Sequence, residues 1–148
     1  MKTPRGIRNN NPGNIDFNPR NQWEGQLPHD PAIEARFARF DTPENGIRAM
    51  GKLIINYRGK DGLPGVGGPG IDTVYEIINR WAPMVENNTP AYVRAVADTL
   101  GIDAKAPIRN IRDRRTLTVL LIGIMQHENG DVPYTTGIVD EGIRRALA

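Results

Sequence analysis

Ile122-Gly123-Ile124-Met125-Gln126-His127-Glu128-Asn129-Gly130 places a carboxylate where a core helix would continue its apolar side. Helical steps back from Glu128 land on Ile124, Leu121, Leu120 and Leu117, so the acid extends the stripe that faces the interior. Asn129-Gly130 supplies the small, conformationally permissive residues that end helices, which sets Glu128 at the negative pole of the helix dipole. Burial and dipole both oppose ionisation, and the glutamate is expected to titrate above its ordinary value of about 4.3, with desolvation as the leading cause. A carboxyl that keeps its proton near neutral pH is a general acid. The plain alternative is a solvated glutamate one residue off the stripe.

Working outward, Asp41-Thr42-Pro43-Glu44 carries a cap, a first-turn proline and a capping-box glutamate, followed by Ile47, Met50, Leu53, Ile54 and Tyr57 on one face. A second helix is expected from near Asp72, with Val74, Ile77, Ile78 and Trp81 inward, stopped by Pro83. Thr89-Pro90 opens a third, with Val93, Val96 and Leu100 inward and Gly101 as terminator. The Glu128 helix is the fourth, and a short fifth is expected from about Val139 to Leu147. The first forty residues have another texture. Asn9-Asn10-Asn11-Pro12-Gly13-Asn14 is a turn cluster, and Ile15 with Phe17, then Ile33, Ala35 and Phe37, alternate as half-buried strands do. The expected class is α+β: a mainly helical domain with a small antiparallel β-region near the N-terminus.

Composition narrows the chemistry. The chain has 148 residues, a length suited to one domain spanning 1–148. No apolar run approaches the roughly 18 to 20 residues of a membrane span, and the N-terminal residues lack a signal-peptide core, so neither membrane insertion nor a signal peptide is expected. Zero Cys removes thiolate metal sites and cysteine nucleophiles, and the absence of serine excludes a Ser/His/Asp triad. His29 and His127 are the only histidines, and a catalytic zinc would need both to converge with a carboxylate, so no metal and no cofactor are expected. Net charge is only +2. Arg109 to Arg115 holds four arginines but reads as a solvated loop or helix start, and no nucleic-acid partner is expected. Gly59 to Gly70, eight of whose twelve residues are Gly or Pro, contains a GxGxxG spelling without the strand before it that a dinucleotide site needs. It reads as a surface loop or lid.

Carboxylate chemistry remains, and the residues now carry a resemblance. Arg5 to Ile15, Trp23-Glu24-Gly25, Phe40 to Arg48, Asn79 to Pro83, Glu86 to Thr89 with Tyr92, and His127 to Gly130 with Pro133-Tyr134 resemble, in order, a family of small phage and prophage proteins. Those proteins are commonly labelled virion structural proteins and are similar to peptidoglycan-degrading enzymes of the lysozyme and transglycosylase class. The Gly/Pro loop is longer than that family's. In glucosaminidase-like relatives of the lysozyme fold the catalytic Glu precedes an Asn-rich turn and a Phe/Tyr-Asp-Ser/Thr segment. Here similar elements, Asn10 to Ile15 and Phe37 to Thr42, come first and the Glu-containing element last. The resemblance therefore implies a circularly permuted lysozyme-like domain in which Asn11 to Ile15 folds back beside Glu128.

It further implies a monomeric enzyme acting on peptidoglycan glycan strands, with Glu128 as acid. It would be carried on the virion or held in the host cytoplasm before lysis, and would act on the wall in the periplasm. A transglycosylase needs no second carboxylate, whereas a muramidase usually does, and Glu44 and Glu86 are the candidates. Glu44, at a helix N-terminus, is biased toward its ionised form or is simply a cap. Substrate contacts are expected from Asn11, Asn14, Trp23, Glu86, Asn87, Tyr92 and Tyr134, because sugars take hydrogen bonds at their edges and apolar contact at their faces. Trp81 is assigned to the core stripe. The alternatives are a murein peptidase and a non-catalytic virion or wall-binding protein.

Overall fold

The computed structural model describes residues 3–57, 70–81 and 89–148. Six helices run in order: α1 (Arg5–Arg8), α2 (Pro43–Asn56), α3 (Val74–Trp81), α4 (Thr89–Leu100), α5 (Arg114–Asn129) and α6 (Thr136–Leu147). Helix α5 is the hub, since each of the other five touches it. Its stripe is the one read from the sequence: Leu117, Leu120, Leu121, Ile124 and Met125 are buried. Asp113 caps its start by accepting from the Thr116 amide at 3.0 Å, and Gly130 ends it in the left-handed conformation (φ 75°). The expected later helices are present, and α6 starts earlier than expected because Thr135 caps it through the Ile138 amide.

The most extensive helix pair is α2 with α6. Small residues make the close approach possible: a Cβ built on Gly142 would stand 2.6 Å from both Cβ and Cγ2 of Ile47, and one on Gly51 would stand 2.6 Å from the Ala146 Cβ. At the start of α2 the cap is Thr42, which accepts from the Asn45 amide at 3.3 Å. Glu44 is therefore the second helical residue and not the third-position partner of a capping box.

The α+β expectation is corrected. No strand forms among the described residues; the N-terminal third holds only two isolated antiparallel bridges, Asp16 with Phe37 and Gln26 with Phe40. The alternation fails in its second run, where Ile33 is 59% exposed while Glu34 beside it is 3% exposed. Side chains share with a few backbone bonds, such as Ala38 N–H to the Ile15 carbonyl at 2.9 Å, the satisfaction of this backbone. The Glu34 carboxylate accepts from the amides of Arg36 (2.8 Å) and Phe37 (2.9 Å), from Asn9 Nδ2 (3.0 Å) and from the Arg5 guanidinium (2.7 and 2.5 Å). Asn11 does the same on the other side. Its Nδ2 donates to the carbonyls of Ile15 and Ala38, and its Oδ1 accepts from the Ile15 amide. The Arg36 and Phe37 amides engaged by the Glu34 carboxylate are not offered to a neighbouring strand, so pairing does not extend beyond isolated bridges. Arg5 and Arg36 also lie over the Phe37 ring, each 4.7 Å from its centroid.

The Arg5 guanidinium and the amide donors hold the Glu34 carboxyl far below the usual carboxylate range. A carboxyl depressed on folding stabilises the native state above its unfolded pKa of about 4.3, and that contribution is lost as pH falls toward the folded value. Urea unfolding should therefore show Glu34→Gln weaker than wild type by on the order of 2 kcal/mol at pH 7, with the gap closing toward pH 3. A gap that stays constant with pH would remove the carboxylate from this role. Gly142→Ala tests the α2–α6 contact, because alanine at a free helical position stabilises by about 1 kcal/mol, whereas overpacking here should cost roughly 1–3 kcal/mol. Thermal denaturation showing Gly142→Ala at or above the wild-type Tm would mean that the helices separate without penalty.

Candidate functional site

The site is assembled where the Asn-rich turn meets the end of α5. Two asparagines shape the turn, Asn10 (φ 51°) and Asn14 (φ 50°), both in the left-handed region that Asn enters more readily than other side-chain-bearing residues. The second puts Asn14 against the helix end, where its Nδ2 donates to Glu128 Oε2 at 3.3 Å across 114 positions of sequence. Next to it, Asn129 Nδ2 donates to the Pro12 carbonyl at 2.7 Å and to the Met125 carbonyl at 3.0 Å. One side chain thus closes the last turn of α5 and holds the Asn turn to it. The fold-back expected from the motif order is present at this contact.

Gly6 of α1 supplies the space. A Cβ there would lie 2.5 Å from Asn129 Oδ1, 2.8 Å from the Asn11 carbonyl and 2.9 Å from Asn14 Oδ1. Three oxygens surround the bare Cα, and the two amide oxygens are buried without a hydrogen-bonding partner. Their Nδ2 groups are engaged, on Glu128 and on Pro12 and Met125, so neither amide can flip without losing those bonds. The close approach admits no side chain. On its other flank the turn is held by Trp81, whose Nε1 donates to the Gly13 carbonyl at 2.7 Å.

Glu128 itself is half-buried, at the edge of the stripe and not inside it. Asn14 donates to Oε2, which makes that oxygen an acceptor. His127 precedes it, with both ring nitrogens buried and lacking a hydrogen-bonding partner. Burial pushes the His127 pKa below its ordinary value. Tyr92 of α4 meets the His127 ring edge-on, centroids 4.5 Å apart. Tyr134, after the helix, is half-buried with its hydroxyl enclosed and pushed up to about 12 by desolvation.

The remaining expected residues separate into distinct groups. Asn11 is fully buried with its amide spent on backbone, so it shapes the turn and offers no surface to a ligand, a correction to its reading as a contact residue. Trp23 is half-buried in the 21–26 loop, and its amide donates to Gln26 Oε1 at 3.1 Å; no hydrogen bond ties it to Glu128. Glu44 makes no hydrogen bond or ion pair with Glu128, and its backbone carbonyl faces Gly142 of α6. Glu86 and Asn87, like the Gly/Pro stretch 59–69, lie outside the described residues. His29 stacks on Phe17 at 3.9 Å, and among the described residues no group of three or more His, Asp or Glu converges as a metal site would require. Sequence reasoning missed Gly6 and the clamp made by Asn129, which it read only as a helix-ending residue.

No helix among the described residues is long and apolar enough to cross a membrane. No protein-family model matches the chain. It is similar to Protein P5 of Pseudoalteromonas phage PM2, 35% identical over 140 residues that cover 93% of this chain and 79% of the relative. With that identity over nearly its whole length, the chain belongs to the phage family of Protein P5.

Proposed function

We propose that the protein is a phage-borne lytic enzyme that cleaves the β-1,4 glycan strand of peptidoglycan, with Glu128 as general acid. The observation that carries this reading is the hydrogen bond from Asn14 to Glu128, because it fixes a half-buried carboxyl at a helix terminus with one oxygen committed as acceptor. Glycoside cleavage needs a proton delivered to a poor leaving oxygen while positive charge grows at the anomeric carbon. Glu128 gives that proton to the bridging oxygen, and the C1–O4 bond breaks. The carboxylate left behind then accepts a proton from the attacking oxygen. If the attacker is the sugar's own C6 hydroxyl, the product is a 1,6-anhydro ring; if it is water, the product is a reducing end. Either route restores the acid. Phage family membership supports a setting in which a wall must be breached, at entry or at lysis.

Isolated Gram-negative sacculi test the reading directly. Wild type should clear them without sensitivity to chelator, and Glu128→Gln should lose on the order of 10² to 10⁴ in rate while keeping its fold by circular dichroism. Mass spectrometry of the products separates transglycosylase from hydrolase by 1,6-anhydro against reducing ends. Intact sacculi would identify a non-catalytic structural protein, and cuts confined to the stem peptides would identify a peptidase. Asn14→Leu, which keeps side-chain bulk and removes the donor, should lower kcat by about ten- to a hundredfold with KM little changed. Full activity in that variant would detach the Asn turn from the chemistry.

A further inference from the structure

Residues 105–115 hold five cationic side chains, Lys105, Arg109, Arg112, Arg114 and Arg115, against one carboxylate, Asp113, so this stretch alone exceeds the chain's net charge of +2. None of the ion pairs among the described residues draws on these cations. The remaining residues, 1–2, 58–69 and 82–88, contribute only two carboxylates, Asp61 and Glu86, too few to neutralise the five. The patch borders a cavity of about 440 Å³ between the end of α4 and the start of α5, whose walls include Leu100, Ile102, Pro107, Arg109, Asp113 and Arg115. We infer that this groove is a docking site for an acidic segment of a protein partner, which seats an aliphatic side chain against Leu100 and Ile102 and meets Arg109 and Arg115 with carboxylates. Arg115 and Glu128 lie near opposite ends of α5, about 20 Å apart at the helical rise of ~1.5 Å per residue, so the groove can be filled without covering the carboxyl. The inference does not rest on the lytic reading.

The groove is built before any partner arrives. Buried Ile108 and Ile111 pin the 101–113 loop to the core, and backbone bonds from Ile108 to the Asp72 carbonyl (2.8 Å) and from Tyr75 to the Ala104 carbonyl (2.9 Å) tie it to the start of α3. Ile102, 36% exposed, leaves apolar surface in water beside half-buried Leu100 and exposed Pro107. Arg115 is held in place by its Nη2, which donates to the Thr99 carbonyl in the last turn of α4 at 2.8 Å; the rest of its donor fork is left for a carboxylate. Arg112 and Arg114 are ordered in the same way on the carbonyls of Leu147 and Asp140, each at 3.2 Å. Arg109 is exposed and forms no hydrogen bond or ion pair with a described residue. The carboxylate in the wall, Asp113, is spent on capping α5 through the Thr116 amide and hydroxyl, which hold it below its ordinary range. Guanidinium groups already ordered lose little entropy when a ligand binds. A nucleic-acid backbone would use the cations and leave the apolar walls idle, whereas an apolar centre rimmed by guanidinium groups fits a protein segment of opposite charge.

Random peptides displayed on yeast and selected on the full chain supply the probe, and the tightest binder, made as a synthetic peptide, is read by amide chemical shifts. Selection should converge on an aliphatic residue flanked by Asp or Glu. The synthetic peptide should shift Ile102, Arg109 and Thr116 and leave Asn14 and Glu128 unmoved. Replacing its aliphatic residue by Ser, or its acids by amides, should each weaken binding by roughly tenfold or more. Arg109→Glu should weaken it likewise, and a peptide with Lys in place of the acids should regain affinity for that variant. Ile102→Ser provides the apolar counterpart; both positions are exposed, so both variants are expected to keep the wild-type circular dichroism. Failure to converge, convergence on neutral or basic peptides, shifts that bypass the groove, or undiminished binding by Arg109→Glu and Ile102→Ser would overturn the assignment. A duplex oligonucleotide that moves the same amides and binds more tightly than the peptide would overturn it in favour of a nucleic-acid surface. Self-association in sedimentation that Arg109→Glu abolishes would overturn it in favour of a second copy of this chain.

Discussion

The clamp made by Asn129 is the constraint on which the site depends. Its side-chain amide reaches back to the Met125 carbonyl and across to the Pro12 carbonyl, so the end of α5 and the Asn-rich turn are one unit. Helix termini leave their last carbonyls without intrahelical partners, and side chains often satisfy them. Here the satisfying group has a second bond to give, and it joins segments 117 positions apart. Loop-closure cost rises only logarithmically with separation, so α2 to α5 can pack first and the turn can dock afterwards at modest extra entropy. Gly6 completes the contact by bringing backbone to within reach of three oxygens.

The N-terminal third achieves order by an economy of polar side chains. Buried Glu34 and Asn11 together satisfy the amides of Ile15, Arg36 and Phe37 and the carbonyls of Ile15 and Ala38, in a segment with no strand. Such a framework is more brittle than a sheet, because two side chains each hold several groups and loss of either leaves buried groups unsatisfied. It also has an advantage at a site. Side-chain amides can hold a turn in left-handed geometry, as at Asn10 and Asn14, where a strand ladder would pull it straight.

The helical core presents a contrasting logic. Helix α5 is enclosed on its apolar face by the other helices, and the α2–α6 pair closes through Gly51, Gly142 and Ala146. The rigid hub ends at His127 and Glu128, where enclosure gives way to a half-buried rim. A carboxyl at that boundary has partial desolvation from the core side and a fixed donor from the turn. Trp81 extends the same boundary, because its ring both braces Gly13 and lines a cleft beside Asn14.

Periodicity and capping chemistry determined the helices. The Leu117–Ile124 stripe, Asn129-Gly130 as its end, Thr89-Pro90 as a start and Gly101 as a stop are local signals, each set by backbone geometry and by which face must leave water. The same local reading failed for residues 15–37, since period-two apolar spacing cannot distinguish a strand from loops whose backbone is satisfied by distant side chains. Nothing near Glu34 in sequence announces Arg5 or Asn9 as its partners. The position of Glu128 at the end of the apolar stripe was legible from local periodicity, and the meeting of the Asn14 turn with it from motif order. Only the tertiary structure decided that Asn11 is spent on backbone, that Glu44 forms no bond with Glu128, and that Trp81 and Arg80 stand beside the carboxyl's donor. Those outcomes depend on which surfaces meet when helices pack, and a pairing between residues a hundred positions apart leaves no local trace.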